Sequence, residues 1–159
     1  LKKRFNVILE KPWTVDKKNT ILLEKLRKKQ KVLVGFNFEY LYLNFFKRKK
    51  FDNKKIKKLI LNFHVKNNKL EKNHKLELGS HLKAIKNYYF ADVKNYKINT
   101  GFKKDSRKIS VQLLKKSFHY DFTKNKEKII QKFIKDFCKH ILISRKFKFG
   151  FNFIIKKNL

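Results

Sequence analysis

A chain of 159 residues, 42% hydrophobic and 15% aromatic, is long and apolar enough to bury a core, which excludes a wholly disordered protein. Its 44 lysines and arginines outnumber its 12 aspartates and glutamates, and the net charge of +32 predicts a polyanionic partner, foremost a nucleic acid. The single cysteine, Cys138, excludes an internal disulfide, and no apolar run is long enough to predict a transmembrane segment.

The first half of the chain is predicted to contain a helix, a strand and a second helix. Residues 1–30 read as an N-terminal extension with a short helix at roughly Val15–Gln30. The stretch VLVGFNFEYLYLNFF predicts a strand because apolar residues alternate along it, at Val32, Val34, Phe36, Phe38, Tyr40 and Tyr42. After the basic turn KRKK, Asp52 is expected to cap a helix whose apolar stripe is Ile56, Leu59, Ile60 and Phe63.

The second half is predicted to contain a long hairpin, a helix and a final strand. The polar stretch from Asn67 to His81 has no assigned structure. One strand from Leu82 to Ile98 and a second from Ile109 towards Phe122 flank a polar tip at Gly101. The segment KEKIIQKFIKDFCKHI is typical of a helix, with Thr123 or Asn125 as its cap. The alternating segment KFKFGFNFII predicts a strand with one phenylalanine face, namely Phe147, Phe149, Phe151 and Phe153.

This order of elements predicts an α+β fold of the ferredoxin-like, split βαβ type. In that fold two helices cover one face of a four-stranded antiparallel sheet. The ferredoxin-like domain is expected to cover residues 31–159, preceded by the extension at residues 1–30.

Motifs for catalysis are not found. The five histidines have no recognised ligand spacing, and Cys138 with His140 offers too few ligands for zinc. No glycine-rich phosphate loop and no serine or cysteine nucleophile motif occurs. The sequence therefore predicts no enzyme, no cofactor, no metal and no small-molecule substrate.

Clustered cations are the candidate binding residues. Phosphate contacts from lysine supply affinity with little sequence information, and an aromatic side chain in a turn can stack on an unpaired base. The predicted RNA-binding residues are Lys47, Arg48, Lys49, Lys50, Phe102, Lys103, Lys104, Ser106, Arg107, Lys108, Lys115 and Lys116.

From about Glu39 onward the chain resembles the tenth protein of the small ribosomal subunit. The strand FEYLYLNFF followed by FDNKKIKKLI is similar to the first strand and helix of that family. The segment FKKDSRK at 102–108 resembles its basic loop signature, followed by a strand that ends in Lys115 and Lys116. Asp105 interrupts the signature as an apparent insertion, and Lys108 stands where the family has an acidic residue. The segment KRFNVILEKPWTVDKK looks like the same loop, but placing it there would leave half of the fold missing.

The resemblance implies a structural protein of the small ribosomal subunit, with ribosomal RNA and neighbouring ribosomal proteins as partners. Residues with A- and T-rich codons, such as Lys, Asn, Phe and Ile, are abundant, and this bias favours a mitochondrial gene and a location in the mitochondrial matrix. An RNA-recognition-motif reading rests on KFGFNF at 148–153 and is weaker. The alternatives from other classes are a basic accessory subunit of a respiratory membrane complex and a DNA-packaging protein.

Overall fold

The computed structural model describes residues 4–10, 17–67, 74–124, 127–143 and 147–157. The chain forms two compact units. The first unit combines the chain up to Tyr42 with the chain from Lys128 onward, and the second unit is Leu43–Glu127. No helix in the described ranges is long and apolar enough to span a membrane. The predicted division into residues 1–30 and 31–159 stays a prediction.

The first unit contains a parallel strand–helix–strand arrangement. Strand β1 (Val7–Leu9) pairs in parallel with β2 (Val34–Phe36), and α1 (Lys17–Gln30) lies between them in sequence. Two parallel strands need a crossover connection, and α1 provides it. A 3₁₀ turn at Glu39–Tyr42 follows β2, and the unit is completed by α4 (Ile129–Ile143) and α5 (Phe151–Lys157).

Helix α1 ends in a Schellman motif with a lysine at the left-handed position. Lys31 has a φ of 53°. Its N–H donates to the carbonyl of Lys28 at 3.2 Å, and the N–H of Val32 donates to the carbonyl of Arg27 at 3.3 Å. Both bonds satisfy carbonyls that the end of a helix leaves without intrahelical partners. A left-handed backbone is strained for a residue with a Cβ.

Aromatic rings fill the core of the first unit. Phe36 is fully buried, and its ring packs edge-on against Phe151 at 5.2 Å between centroids. Phe147 lies edge-on against Phe137 at 5.2 Å. A Cβ at Gly35 would lie 2.8 Å from the Phe137 ring, so the strand can approach α4 this closely only with glycine at that position.

The second unit is a mixed four-stranded sheet with the strand order β4-β3-β5-β6. Its elements are α2 (Asn44–Arg48), a 3₁₀ turn at Asn53–Lys55, β3 (Ile56–His64), α3 (His74–Tyr89), β4 (Tyr96–Gly101), β5 (Ser106–Leu113) and β6 (Ser117–Asp121). Strands β3 and β4 are parallel and are connected through α3, whereas β5 runs antiparallel to both β3 and β6.

One face of this sheet is apolar and packs against α3. Leu59, Leu61, Ile109 and Val111 are each 0% exposed. Helix α3 adds a buried stripe of Leu78, Leu82 and Ile85. The opposite face carries polar side chains because neighbouring residues of a strand point to opposite faces. Asn62 is paired with Asn99 there, by a hydrogen bond of 2.7 Å from Asn99 Nδ2 to Asn62 Oδ1.

Three element predictions in the first half need correction. The predicted long strand from Val32 is β2 followed by the 3₁₀ turn and α2, because nearly every residue from Val32 to Phe46 is buried and no face points to solvent. The predicted helix after Asp52 is β3, in which Leu59, Leu61 and Phe63 alternate inwards between two partner strands. Asp52 does accept from the N–H of Lys54 at 3.1 Å, but it caps only a 3₁₀ turn.

Three predictions in the second half also need correction. Residues 82–89 continue helix α3, so the predicted strand is confined to β4. Strands β4 and β5 do not form the predicted hairpin around Gly101, because β3 lies between them, and the hairpin joins β5 to β6 instead. The predicted last strand is α5, and all four of its predicted facing phenylalanines are buried.

The helices predicted near Val15–Gln30 and over KEKIIQKFIKDFCKHI are confirmed as α1 and α4, although Val15, Asp16 and Asn125 lie outside the described residues. The ferredoxin-like arrangement is wrong. A parallel strand pair lies in each unit, and the four-stranded sheet is mixed and does not contain all the strands.

Candidate functional site

The carboxyl ends of β1 and β2 bring two polar side chains together in the first unit. Glu10 follows β1 directly and Asn37 follows β2 directly. Asn37 Nδ2 donates to Glu10 Oε1 at 2.6 Å, and the N–H of Asn37 donates to the carbonyl of Leu9 at 3.0 Å. Because the strands are parallel, both side chains lie at the same edge of the sheet, which is where open α/β sheets bind ligands.

The amide of Asn37 is set to receive a hydrogen bond. Its Nδ2 is engaged by Glu10, whereas its Oδ1 is buried and has no hydrogen-bond partner within the described part of the chain. A buried carbonyl oxygen without a partner costs free energy, so a ligand N–H at this position would be favoured. We call Glu10 and Asn37 the strand-end pair.

Helix α3 of the second unit carries a buried histidine. His81 is 4% exposed, whereas the other histidine side chains that the structure describes, His64, His119 and His140, are more accessible. Its ring lies 5.7 Å from the Phe63 ring of β3, measured between centroids. His81 therefore lies on the side of α3 that faces the sheet.

A carboxylate lies one helical turn before His81. Glu77 is partly buried and stands four residues earlier on α3, so the two residues share one side of the helix. An imidazole can give or take a proton near neutral pH, and a carboxylate at this spacing can orient it. We call Glu77 and His81 the helix pair, which has the residue types that general acid–base catalysis uses.

The residues predicted for an RNA interface separate into two groups in the second unit. The first group lies between β4 and β5 or at the start of β5. Phe102 is partly buried, and its carbonyl accepts from the N–H of Asn67 at 2.9 Å, while Lys103 and Lys104 are exposed. Ser106, Arg107 and Lys108 open β5. Lys108 forms an ion pair with Asp121 at 3.3 Å.

The second group lies at the other end of β5, which is about 24 Å away for seven steps along a strand. Lys115 and Lys116 form the turn before β6, and Lys47, Arg48, Lys49 and Lys50 are exposed in and after α2. Lys49 and Lys116 both approach the Phe118 ring, at 5.6 Å and 5.0 Å. The structure therefore brings these two lysine clusters together but keeps them apart from Lys103–Lys108.

Arg107 has a structural role that the sequence prediction missed. Its guanidinium lies 5.3 Å from the Phe63 ring, and its Nη1 donates to the carbonyl of Thr123 at 3.4 Å. Its backbone N–H donates to the Thr123 hydroxyl at 2.8 Å, so Thr123 is a partner of β5 and not a helix cap. Arg107 ties β5 to the chain after β6 on the sheet face that packs against α3.

The described residues contain neither a metal-ligand cluster nor a glycine-rich phosphate loop. No group of three potential metal ligands from His, Cys, Asp and Glu occurs in the described ranges. Within those same ranges no glycine-rich loop joins a strand to a helix, because Gly35 lies in β2, Gly79 in α3 and Gly101 at the end of β4, and Gly150 follows a turn. The features that remain for small-molecule chemistry are the strand-end pair and the helix pair.

Solved oxidoreductase structures share this fold. A probable dehydrogenase from Thermotoga maritima has a TM-score of 0.78 at 11% identity, over 98% of this chain and 68% of its own. UDP-N-acetylglucosamine 3-dehydrogenase from Acidithiobacillus ferrooxidans has a TM-score of 0.76 at 11% identity, over 96% and 67%. A 3-ketoreductase from Actinomadura kijaniata, solved with NADP and TDP-benzene, has a TM-score of 0.71 at 9% identity, over 96% and 66%.

The chain thus spans about two thirds of the length of these structures, and at such low identity the likeness shows the fold alone. No protein-family model and no curated protein matches the sequence.

These findings contradict the ribosomal interpretation. The resemblance to the tenth small-subunit protein is wrong, and so are the predictions of a ribosomal function, of ribosomal RNA and protein partners, and of a chain that is not an enzyme and has no small-molecule substrate. The physical reason is that exposed lysines occur along α1, β3, α3, β4 and α4, so the charge does not mark one nucleic-acid surface. The mitochondrial location stays a prediction.

The strand-end pair and the helix pair were both missed at the level of sequence. A strand, a helix and a second strand within residues 7–36 were the signal for a parallel βαβ unit, but residues 1–30 were interpreted as an extension. The spacing of Glu77 and His81 by four residues was visible, but residues 67–81 had no assigned structure, so the two could not be placed on one helix face.

Proposed function

We propose that this chain is part of an NAD(P)-dependent oxidoreductase that interconverts a hydroxyl and a keto group on a sugar or cyclic polyol. The observation that carries the proposal is the helix pair, a buried histidine one turn after a carboxylate, within a fold shared with dehydrogenases and ketoreductases. Oxidation of an alcohol releases one proton from oxygen and one hydride from carbon. The protein must therefore supply a general base that accepts this proton.

His81 would hold that proton. In the oxidation direction its neutral imidazole takes the proton from the substrate hydroxyl, and in the reduction direction the imidazolium returns it to the oxygen of the former keto group. Burial against Phe63 removes competing water from one side of the ring. Glu77 would stabilise the imidazolium by its negative charge, because the two residues are one turn apart.

The strand-end pair fits one part of the cofactor. When bound, NAD(P) supplies the hydride acceptor or donor. The buried Oδ1 of Asn37 is an acceptor without a partner in the described residues, which suits an N–H group of the dinucleotide. Glu10 would keep the Asn37 amide in this orientation by accepting from its Nδ2. The described residues offer no comparable cradle for the dinucleotide phosphates.

The substrate class follows from the structural neighbours and is part of the proposal. One neighbour is named as a 3-ketoreductase and another as a UDP-N-acetylglucosamine 3-dehydrogenase. A third is described as a putative myo-inositol dehydrogenase. UDP-N-acetylglucosamine and myo-inositol both carry several hydroxyls on a ring. We propose the same class for this chain, without choosing one compound.

The test is turnover by the protein at its native length. It would be incubated with NAD⁺ or NADP⁺ and a panel of myo-inositol, UDP-N-acetylglucosamine and unmodified hexoses, and the appearance of the reduced nicotinamide would be followed by absorbance. We expect turnover with at least one ring polyol. His81→Gln should lower kcat by about 10²-fold or more, which is the usual contribution of a general base.

A matched histidine variant separates chemistry from folding. His119 is exposed on β6 and contacts Ser110, so His119→Gln should leave kcat unchanged. Dinucleotide binding would be measured separately by saturation-transfer NMR, where Asn37→Leu should weaken the signal and His81→Gln should not. A protein that binds neither dinucleotide and oxidises no member of the panel would contradict the proposed function.

A further inference from the structure

An open cavity with two lysines in its lining lies at the outer edge of the four-stranded sheet, between β4 and α3. Its volume is about 640 Å³, which is within the range of small-molecule sites. Strand β4 forms one wall and is an edge strand that pairs only with β3. Helix α3 forms the other wall through three residues spaced by four, Lys75, Gly79 and Lys83. These three residues lie on one side of the helix, so both lysine stems rise beside the same opening.

The middle residue of the three is glycine, so no side chain rises from α3 between the two lysines. A Cβ at Gly79 would meet only Thr100 Cγ2, at 3.9 Å, and the space above Gly79 therefore belongs to the cavity. Lys75 and Lys83 are two turns apart, or about 12 Å along the helix axis. Both are exposed, and their flexible four-carbon stems can bring two ammonium groups to one ligand held over Gly79.

Among the described residues the lining offers hydrogen-bond donors and contains no carboxylate. Besides the two lysines, it includes Thr100 on the face of the sheet that packs against α3. Asn62 and Asn99 line the opening from the opposite face and are hydrogen-bonded to each other at 2.7 Å. None of the described residues that line this cavity is an aspartate or a glutamate, so its described lining carries a net positive charge.

A second cavity in the same unit provides a contrast. It has a volume of about 680 Å³ and contains Lys104, Lys108 and Lys124, but Asp105 and Asp121 line it as well. Asp121 pairs with Lys108 at 3.3 Å, and the backbone N–H of Lys66 donates to Asp105 at 3.0 Å. Lysines that are matched by carboxylates within one cavity have less charge left for a ligand. The cavity at Gly79 is thus the stronger anion site of the two.

We infer that the cavity at Gly79 binds the phosphate group of a small phosphorylated molecule. Two ammonium groups and a hydroxyl match the oxygens of a phosphate, each of which accepts hydrogen bonds. Lysine is a common phosphate ligand that acts as a point charge, which suits a shallow, open cavity with no arginine in its lining. This site is independent of the proposed oxidoreductase activity and remains testable if that activity fails.

The test is titration of the ¹⁵N-labelled protein with inorganic phosphate and, separately, phenyl phosphate. Ionic strength would be held constant with sodium chloride, because the high net charge attracts every anion. We expect saturable shifts centred on the amides of Gly79 and Thr100. The double variant Lys75→Met, Lys83→Met should weaken phosphate binding at least about tenfold, as expected when two charge-assisted hydrogen bonds are lost.

A charge-matched control addresses non-specific attraction. The double variant Lys54→Met, Lys57→Met removes the same charge from exposed positions that do not line the cavity, and it should bind phosphate within about twofold of the wild type. Gly79→Leu fills the opening without changing any charge and should also weaken binding, with its helix content checked by circular dichroism. Equal losses in the two lysine variants, or shifts spread evenly over the surface, would overturn the assignment of this site.

Discussion

The hydroxyl of Tyr42 donates a hydrogen bond of 2.5 Å to the carboxylate of Asp136, which lies 94 residues further along the chain. Lys148 approaches the same carboxylate oxygen at 3.2 Å, and its ammonium lies 5.0 Å from the Tyr42 ring. These contacts join the 3₁₀ turn after β2, helix α4 and the turn before α5. The first unit is built from two distant stretches of chain, and this cluster is a polar link between them.

Tyr42→Phe should therefore destabilise the protein by about 1.5–3 kcal/mol, because hydrogen bonds to charged groups contribute that much. The ring and its packing against Phe133 remain in this variant, so the lost stability measures the contribution of the hydroxyl group alone. The measurement is the free energy of unfolding from urea titration. Tyr96→Phe removes a hydroxyl from an exposed tyrosine of β4 and should change that free energy by less than about 0.5 kcal/mol.

The contribution of Asp136 should depend on pH. Burial opposes ionisation of its carboxyl, but the hydrogen bonds from Tyr42 and Lys148 outweigh burial, so the pKa of Asp136 lies below its usual value. A lowered folded-state pKa means that the stabilisation is fully present above the unfolded pKa of about 3.9 and is lost as the pH falls through the folded pKa.

We expect the difference in free energy of unfolding between wild type and Asp136→Asn to be constant near neutral pH and to shrink below about pH 4. Asparagine retains an oxygen that can accept from Tyr42, so the difference isolates the negative charge. Urea titrations at a series of pH values provide the measurement. A difference that grows as the pH falls would show that the carboxyl is protonated in the folded protein near neutral pH.

The amphipathic helices are the part of the fold that could be predicted from sequence. Helix α4 buries Ile129, Phe133 and Phe137, which recur every four residues on one side of the helix, whereas Ile130 and Ile134 of the predicted stripe are exposed. Strand β3 was ambiguous because its run of Leu59, Ile60 and Leu61 satisfies the helical and the strand period equally. Its two neighbouring strands decide the outcome, and they come from later in the chain.

The candidate site was beyond prediction for a related reason. Glu10 and Asn37 are 27 residues apart, and only the parallel pairing of β1 with β2 makes them neighbours. The net charge misled the functional prediction because lysine is abundant on all exposed faces, as a gene biased towards A- and T-rich codons would dictate. Total charge is a property of composition, whereas a nucleic-acid interface requires that the charge be concentrated on one surface.

The end of α1 provides a prediction about backbone strain. Lys31 occupies the left-handed position of the Schellman motif, where glycine has no steric penalty. Lys31→Gly should therefore stabilise the protein by about 1 kcal/mol. Lys29→Gly removes the same charge within the last turn of the helix and should destabilise it by about 0.5–1 kcal/mol. Thermal unfolding of both variants is the measurement, and a Lys31→Gly protein that melts below the wild type would show that the lysine side chain matters more than its backbone angle.

The sequence predicts that Arg107 binds RNA, whereas the structure shows that its side chain packs within the second unit. The effect of its removal on stability measures the packing role. Its guanidinium stacks on Phe63 and reaches the carbonyl of Thr123, whereas Lys103 and Lys104 are exposed. Arg107→Ala should lower the free energy of unfolding by about 1–3 kcal/mol, because it removes the stacked group and leaves the Thr123 carbonyl without this donor.

The double variant Lys103→Ala, Lys104→Ala removes more charge from the same stretch but should change the free energy of unfolding by no more than about 0.5 kcal/mol. Urea titration at two salt concentrations distinguishes packing from general charge repulsion, because only repulsion is screened by salt. If Arg107→Ala matched the double variant in stability, the guanidinium would be an ordinary surface cation. A loss that persists at high salt instead identifies Arg107 as the residue that connects β5 to the chain after β6.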